Sequence, residues 1–326
     1  MMKVRLGFVA MSEQLKNCSP SQTVTVSQFQ KMGDYDAALE RLERVAKSNI
    51  ENCIRLLRHC AYEDIHLFRL SSKLIPLADH SLVAEWDYLT PLSLCLRELG
   101  QIAQKNDIRV DFHPDHFVVL NSPDGKIVST SVTTLKMHYR LLKRMGINPT
   151  HRCVLHVGGG YKDKELALEQ LLENWGNIPV PIQSMVMFEN DDTTFTMRDT
   201  LYVSEKLGVP MIFDYHHYLA NHEKDESWVQ EWERVVKTWS LSHLPVKMHI
   251  SSPRNEKEFR AHHDYIDCDM FLKFLDGING SVEKIDCMIE AKKKDGALFQ
   301  LVKELKECKN VEFIDKVNFI YKPSVL

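Results

Sequence analysis

Eight short runs of apolar and β-branched residues recur along the chain at wide spacing, and this recurrence restricts the fold more than any other feature. The runs begin at Arg5, Leu67, Ile108, Cys153, Met185, Val209, Pro245 and Ile285. Between them, apolar residues follow one another every three or four positions, as at Ala38, Leu42 and Val45. Buried strands that alternate with amphipathic helices are typical of a parallel sheet covered by helices.

Eight such units predict an α/β fold, a (β/α)8 TIM barrel that occupies residues 1–326 as one domain. We expect insertions at residues 16–35 and 121–129. A doubly wound open sheet is the alternative, because periodicity does not reveal strand order. The GGGY segment at 158–161 lacks the GxGxxG spacing of a phosphate loop, and its glycines favour close approach of the backbone to a ligand.

Charge and cysteine content exclude several classes of protein. Lys and Arg number 41 against 45 Asp and Glu, so no overall positive field indicates a polyanionic partner. The 8 cysteines form no CxxC pair, which argues against a zinc finger and favours reduced thiols. No stretch approaches the roughly 20 apolar residues of a membrane span. We expect a cytoplasmic protein with no membrane contact and no obligate protein partner.

Ionisable side chains stand at the ends of most predicted strands, where TIM barrels carry their reactive groups. A lone histidine at a strand end is usually a hydrogen-bonded core residue, but here five consecutive strands end in His, Glu or Asp. Divalent cations would neutralise such buried carboxylates and accept mixed imidazole and carboxylate ligands. The nine candidate ligands are His80, His113, His156, Glu189, Asp214, His217, His249, His262 and Glu290. This number exceeds one tetrahedral site and suffices for two or three metals.

Multinuclear sites of this type suit phosphodiester hydrolysis, because one metal can activate a water while another stabilises the leaving oxygen. A phosphodiester substrate is therefore the first hypothesis. Sugar isomerases on the same barrel also hold two metals with carboxylates and histidines, and a scaffold that only holds metals would explain the ligands without turnover. The ligand count does not decide among these three.

Ten motifs, in order, resemble the UV damage endonucleases of the type found in bacilli. They are RLGFVA, SPSQTVTV, LFRLSSKLIPLADH, DFHPDHF, LHVGGGYKDK, FENDD, FDYHHYLAN, VKMHISSP, AHHDYID and MIEAKKKD. The resemblance implies a barrel like those of xylose isomerase and endonuclease IV. It also implies a metal-dependent, ATP-independent endonuclease that nicks UV-damaged double-stranded DNA immediately 5′ to photoproducts, with three divalent ions that in the family are usually taken to be manganese. The alternatives are an abasic-site endonuclease of the endonuclease IV type and the sugar isomerase.

The resemblance also assigns individual residues. It selects His217 over His216, and His262 over His263, as ligands. Lys247 matches a lysine that the family can carry in carboxylated form, whereas its spacing alone equally favours a pair with a barrel carboxylate. The implied catalytic residues are Lys247, Glu189, Asp214 and His249, of which the last three are also ligands.

Three aromatic or imidazole side chains are expected to contact the lesion. The family probes damaged DNA with a loop that corresponds to His116 and Phe117, together with an aromatic residue at the position of Phe8. His116 replaces the usual Gln, and Phe117 stands where some members have Tyr, so the lesion preference is left open. Both phenylalanines could equally be core residues. Arg254, Lys257 and Arg260 follow the seventh strand and are candidates for phosphate contacts, or a solvated run of charge.

Overall fold

A computed structural model describes residues 1–322, and residues 323–326 of the predicted domain lie outside the described residues. Eight parallel strands form the barrel. They are β1 (Met2–Val9), β2 (Leu67–Arg69), β3 (Arg109–Asp111), β4 (Cys153–His156), β5 (Val186–Glu189), β6 (Met211–Asp214), β7 (Val246–Ile250) and β8 (Lys284–Ile289). Each falls within or overlaps one of the eight apolar runs, and the predicted (β/α)8 fold is confirmed.

The strand order is β3-β2-β1-β8-β7-β6-β5-β4, with parallel pairing along the whole path. A parallel bridge between Phe112 and Cys153 joins the two ends of this path. There, the amide of Phe112 donates to Arg152 and that of Val154 donates to Phe112, each at 2.9 Å. The ring therefore closes between β3 and β4, which rules out the open doubly wound sheet.

Helices cover the outer face of the strands. They are α1 (Val26–Gln30), α2 (Tyr35–Tyr62), α3 (Ser93–Lys105), α4 (Gly125–Arg144), α5 (Lys164–Trp175), α6 (Val180–Gln183), α7 (Met197–Leu207), α8 (Tyr215–Ala220), α9 (Trp228–Thr238), α10 (Cys268–Gly277) and α11 (Lys294–Leu305). Aspartates cap several of them: Asp34 accepts from the amide of Ala37 at the start of α2, and Asp163 from that of Leu166 at the start of α5. No helix within residues 1–322 is long and apolar enough to cross a membrane.

Both predicted insertions overlap helices. The first contains α1 and ends where α2 begins, at Tyr35. The second, 121–129, is loop only as far as Asp124, which caps α4 by accepting from the amide of Lys126. This boundary was wrong, because residues 126–129 form the largely exposed first turn of a helix. A short hairpin of β9 (Val311–Phe313) and β10 (Phe319–Tyr321) pairs antiparallel with the start of β1.

Charged side chains fill much of the barrel interior, where branched apolar residues usually pack. At the amino end, Asp286 of β8 accepts from Nε of Arg5 at 2.7 Å and from Nη1 of Arg109 at 2.9 Å. Halfway along, Nζ of Lys247 lies 2.6 Å from Oδ2 of Asp111. Alternate residues of a strand share a face, so the inward direction of these side chains carries on to the strand ends that form the site.

Candidate metal centre

Glu189 is the centre of the group of ionisable side chains at the carboxyl ends of the strands. It is the last residue of β5 and is fully buried, with 0% of its surface exposed. Its Oε2 lies 2.8 Å from Nε2 of His113 and 3.6 Å from Nε2 of His156, and its Oε1 lies 2.7 Å from Nδ1 of His249. One carboxylate therefore contacts side chains from the ends of β3, β4 and β7.

Two sets of donor atoms are close enough to bind a metal ion. His113, His156 and Glu189 form one set, and Glu189 with Asp214, His249 and Glu290 forms the other; within each set the donor atoms lie within 4.8 Å of one another. Glu189 belongs to both sets, and each of its two oxygens faces a different set. The structure thus brings together six of the nine predicted ligands.

His217 and His262 lie at the edge of the same cluster. Nδ1 of His217 is 3.6 Å from Glu189 and 3.8 Å from Asp214, and the ring centres of His217 and His262 are 6.4 Å apart. Neither belongs to the two donor sets. Together with the six clustered residues, they place eight predicted ligands at one end of the barrel.

Several of these side chains are arranged as metal-binding groups usually are. Nδ1 of His113, His217 and His262 each lies within 3.1 Å of a backbone carbonyl oxygen, that of Pro114, Asn190 and Glu290 respectively. A hydrogen bond of this kind fixes the ring and leaves Nε2 for a metal.

Two further donor atoms lack partners. Nε2 of His156 and Oδ2 of Asp214 are buried without a hydrogen bond in the described part of the chain. A buried polar atom without a partner is costly, and a cation in each donor set would give a partner to the residue of that set. Because each donor set contains one of these two residues, together with carboxylate and imidazole neighbours, the residues fit divalent metal ions.

Two neighbouring histidines, His216 and His263, contact groups outside the cluster. Both ring nitrogens of His216 are engaged elsewhere, with Ser251 Oγ at 2.6 Å and the carbonyl oxygen of Phe259 at 2.7 Å. His263 contacts Tyr265 outside the cluster. The choice of His217 and His262 as ligands stays a prediction.

His80 lies apart from the cluster. It caps a short 3-10 helix, Ser81–Val83, where its Nδ1 accepts from the amide of Leu82 at 3.1 Å. It lines a separate cavity with Trp86 and Tyr88 and belongs to neither donor set. The structure does not bring His80 together with the other predicted ligands. Its role as a ligand stays a prediction.

Arg69, at the end of β2, is a member of the cluster that the sequence reasoning missed. Its Nη2 lies 2.6 Å from Oε1 of Glu290 and donates to Nε2 of His249 at 2.8 Å. The pKa of Glu290 is held well below its usual range, because the attraction of Arg69 and nearby histidines outweighs the opposing effect of burial. Its position at a strand end was the available signal in the sequence, but arginine does not bind metal ions and so does not fit a pattern of metal ligands.

Lys247 is paired with Asp111, and both side chains are 0% exposed. Burial lowers the pKa of Lys247 to about 8, although Asp111 acts in the opposite direction. Of the two readings of this lysine, the contact favours the ion pair with a barrel carboxylate. Asp111, the last residue of β3, was also missed.

Burial and crowding shift the pKa values of the remaining groups. Burial raises the pKa of Asp214 to about 6, with Glu189 and Glu290 adding to the shift and His217 opposing it. Burial lowers the pKa of His217, but Asp214, Glu189 and Glu290 outweigh it and raise the value to about 9. Without metal, the cluster therefore holds protons at neutral pH that a cation must displace.

A cavity of about 1000 Å³ opens beside the cluster, and His113 and His156 form part of its wall. His116 and Phe117 line the same cavity, with ring centres 4.1 Å apart, and Phe117 is 76% exposed. These two side chains are therefore free to touch a large substrate placed on the cluster.

Phe8 does not join them. It is 0% exposed and packs edge-on against Phe68, with ring centres 5.2 Å apart. Side chains alternate along β1, and Arg5 points into the barrel, so Phe8 points outward beneath the helices. The expectation that Phe8 contacts the lesion was wrong, and this residue belongs to the core. Its neighbour Gly7 faces inward, where a Cβ atom would lie 2.2 Å from the carbonyl oxygen of Leu67.

Comparison with known proteins places the chain in a family. The family model described as UV-endonuclease UvdE matches residues 4–322. The chain belongs to the UV-endonuclease UvdE family. A UV DNA damage endonuclease of Halalkalibacterium halodurans is 48% identical over 99% of this chain and 100% of its own length. The resemblance drawn from the ten motifs is confirmed, and this UvdE-family chain is a DNA endonuclease, a hydrolase of phosphodiester bonds.

Solved structures agree with the fold. The crystal structure of SacUVDE matches with a TM-score of 0.81 at 30% identity, covering 93% of this chain and 98% of that one. Endonuclease IV from Thermus thermophilus matches with a TM-score of 0.54 at 14% identity, covering 78% of this chain and 95% of its own. The second likeness shows a shared barrel only. The predicted likeness to the barrel of endonuclease IV is thereby confirmed at the level of fold.

Proposed function

We propose that this UvdE-family endonuclease nicks UV-damaged double-stranded DNA immediately 5′ to photoproducts, with divalent metal ions and without ATP. The observation that carries the proposal is the Glu189-centred cluster beside an open cavity with an exposed aromatic residue on its rim. The name of the 48% identical relative supports UV damage as the target. We further propose that the enzyme acts in the cytoplasm as a single domain.

The metal ions would be held by the residues at the strand ends. We propose three ions, manganese first among the candidates, bound by His113, His156, Glu189, Asp214, His217, His249, His262 and Glu290, with His80 as the ninth ligand. Bound divalent ions lower the pKa of an attacking water and stabilise negative charge on phosphate oxygens.

The chain itself supplies orientation and charge. Glu189 holds both donor sets in register, since each of its oxygens faces a different set. Arg69 keeps Glu290 ionised beside His249 and adds a fixed positive charge that would attract a phosphate. Lys247 holds the carboxylate of Asp111 beneath the cluster, and we propose it as a catalytic residue in the ammonium form or carboxylated. These groups set the geometry in which a phosphodiester would be cut.

Lesion selectivity would come from the duplex and from the loop after β3. Photoproducts have already lost stacking, so they cost less to rotate out of the helix than intact bases. His116 and Phe117 lie where they could fill the space that the rotated bases leave. No reading of base sequence is proposed.

A nicking assay tests reaction, substrate and metal together. Three supercoiled plasmids are incubated with the enzyme: one irradiated, one untreated and one that contains abasic sites. Each is tested with enzyme whose metal has been removed and with the same enzyme after Mn²⁺ has been restored. We expect relaxed circles only from irradiated DNA and only with metal, and primer extension should map the nick to the 5′ side of dipyrimidines. Nicking of abasic plasmid alone would replace this proposal by the endonuclease IV activity, and no metal-dependent cleavage of any plasmid would refute it.

A further inference from the structure

A second group of basic side chains lies at the amino end of the barrel, opposite the metal centre. It lines a cavity of about 450 Å³. The basic residues are Arg5 of β1, Arg109 and Lys284 at the first positions of β3 and β8, Arg152 before β4 and His243 before β7. The cavity has the volume of a typical small-ligand pocket.

Carboxylates neutralise only part of this charge. Asp286 uses both oxygens on Arg5 and Arg109, and Asp107, 83% exposed, lies 3.2 Å from Nη1 of Arg5. Arg152 donates to backbone carbonyl oxygens, those of Asn148 and Val110. Within residues 1–322, Lys284 forms no ion pair. Arg5, Arg109, Arg152 and Lys284 therefore exceed the two carboxylates by two positive charges.

Arg109 adds an independent observation. It is 4% exposed and lines the cavity, yet its Nε and Nη2 atoms have no hydrogen-bond partner among the described residues. A buried guanidinium group with free N–H donors is costly unless an acceptor reaches it. The guanidinium also lies over the ring of Trp239, 5.3 Å from its centre. Nη1 is already used by Asp286 and the carbonyl oxygen of Pro245, so a hydrogen-bond acceptor for Nε and Nη2 would have to come from water or a bound ligand.

The electrostatics of the neighbouring basic groups favour binding of an anion. Burial and the charge of Arg109 lower the pKa of Arg152 to about 10. Burial and Arg5 likewise lower the pKa of Lys284. These basic groups repel one another, and a bound anion would relieve that repulsion.

We propose that the cavity at the amino end of the barrel binds a small phosphate-bearing anion, either inorganic phosphate or a phosphate monoester. Phosphate accepts several charge-assisted hydrogen bonds and matches the two excess positive charges. The proposal stands apart from the proposed function, because none of these residues belongs to the metal centre. It therefore survives or fails independently of the nicking assay.

Calorimetric titration with inorganic phosphate tests it, using the metal-loaded enzyme at constant ionic strength set with chloride. Because the metal centre should also attract phosphate, we expect a further site, separate from the metals, at which Lys284→Ala and Arg152→Gln each weaken binding about tenfold, the loss of roughly one charge-assisted hydrogen bond. Lys273→Ala removes an exposed charge elsewhere and should leave affinity unchanged. Glu189→Gln, which alters the metal centre, should leave it unchanged too. A parallel titration with thymidine monophosphate separates the sources, since tighter binding than phosphate indicates a monoester and equal or weaker binding indicates phosphate.

Three results would overturn the proposal. The first is no heat of binding with either ligand, and the second is loss of binding in Glu189→Gln with full binding in Lys284→Ala. The third is equal weakening by Lys273→Ala, which would show only a general charge effect. Circular dichroism checks the folding of each variant. If Arg152→Gln does not fold, Lys284→Ala provides the test, because Lys284 is partly exposed and its replacement should not disturb the fold.

Discussion

Glu189 is the residue on which the metal centre depends most, because both donor sets include it. Glu189→Gln keeps the shape of the side chain but removes the charge that holds a cation. Removing a residue that only orients a metal ligand lowers metal affinity or activity about 10–100-fold, and Glu189 is itself a predicted ligand. We therefore expect Glu189→Gln to lower the cleavage rate by at least about 100-fold, and Asp214→Asn to have a similar effect. Nicking rate and metal content by mass spectrometry are the measurements, and Glu307→Gln, at an exposed position, is the control. Near wild-type turnover with full metal content would remove that residue from the centre.

Lys247 and Asp111 form a buried pair whose separation should destabilise the fold. Lys247→Met leaves the carboxylate of Asp111 buried without a counter-charge, and we expect a loss of about 3–5 kcal/mol in the free energy of unfolding. The double variant Lys247→Met/Asp111→Leu should recover most of it. Urea denaturation at pH 7 measures both, and an equal loss in the single and double variants would show that packing, rather than charge, dominates.

Carbon-13 bicarbonate labelling of the metal-loaded enzyme tests the carboxylated form, whose carbonyl signal should be absent if the ammonium persists.

Among the elements, the loop between β3 and α4 is the one predicted to sense damage. His116 and Phe117 are exposed and in ring contact, so replacing both with alanine should leave the fold and metal content unchanged. Stacking on an aromatic side chain is worth roughly 1–3 kcal/mol per base, so binding to irradiated duplex should weaken by about 5- to 150-fold. Fluorescence anisotropy with irradiated and intact duplexes measures this. Equal weakening on both DNAs would assign the loop to general DNA contact.

The elements were largely predictable from the sequence, and the errors have a physical cause. Apolar runs identify buried strands because both faces of a covered parallel strand avoid water, but the same property hides which face points inward. Phe8 was therefore assigned to the wrong side of β1. Arg69 and Asp111 end strands just as Asp214 does. Arg69 was missed because arginine does not bind metal ions, and Asp111 because His113, two residues further along, was the predicted ligand of the same strand.

At the scale of the whole molecule, the barrel is a column of paired charges that runs from Asp286 through the Lys247–Asp111 pair to the Glu189 cluster. Such pairs are rarely a net source of stability, since desolvation offsets their attraction. They do hold ionisable groups in fixed positions along the barrel axis. The two ends of this column differ, because carboxylates and histidines gather at the carboxyl end and basic groups exceed acids at the amino end. One end thus suits cations and the other anions.

The proton content of the carboxyl end should make the stability of the metal-free protein depend on pH. His217 has its pKa raised from 6.5 to about 9 in the folded state, so its contribution is full below pH 6.5 and is lost as the pH rises toward 9. Lys247, lowered to about 8, acts with the opposite sign only above that pH. We therefore expect the melting temperature of metal-free protein to fall between pH 6.5 and 8.

His217→Gln is the matched control and should flatten this slope. Saturating Mn²⁺ should reverse it, because ligands must lose protons to bind metal and the stabilisation by metal then grows with pH. Differential scanning fluorimetry at constant ionic strength measures all three cases. A slope that persists in His217→Gln would locate the titrating proton outside the cluster, whereas a slope that persists under saturating Mn²⁺ would mean that His217 stays protonated and is not a ligand.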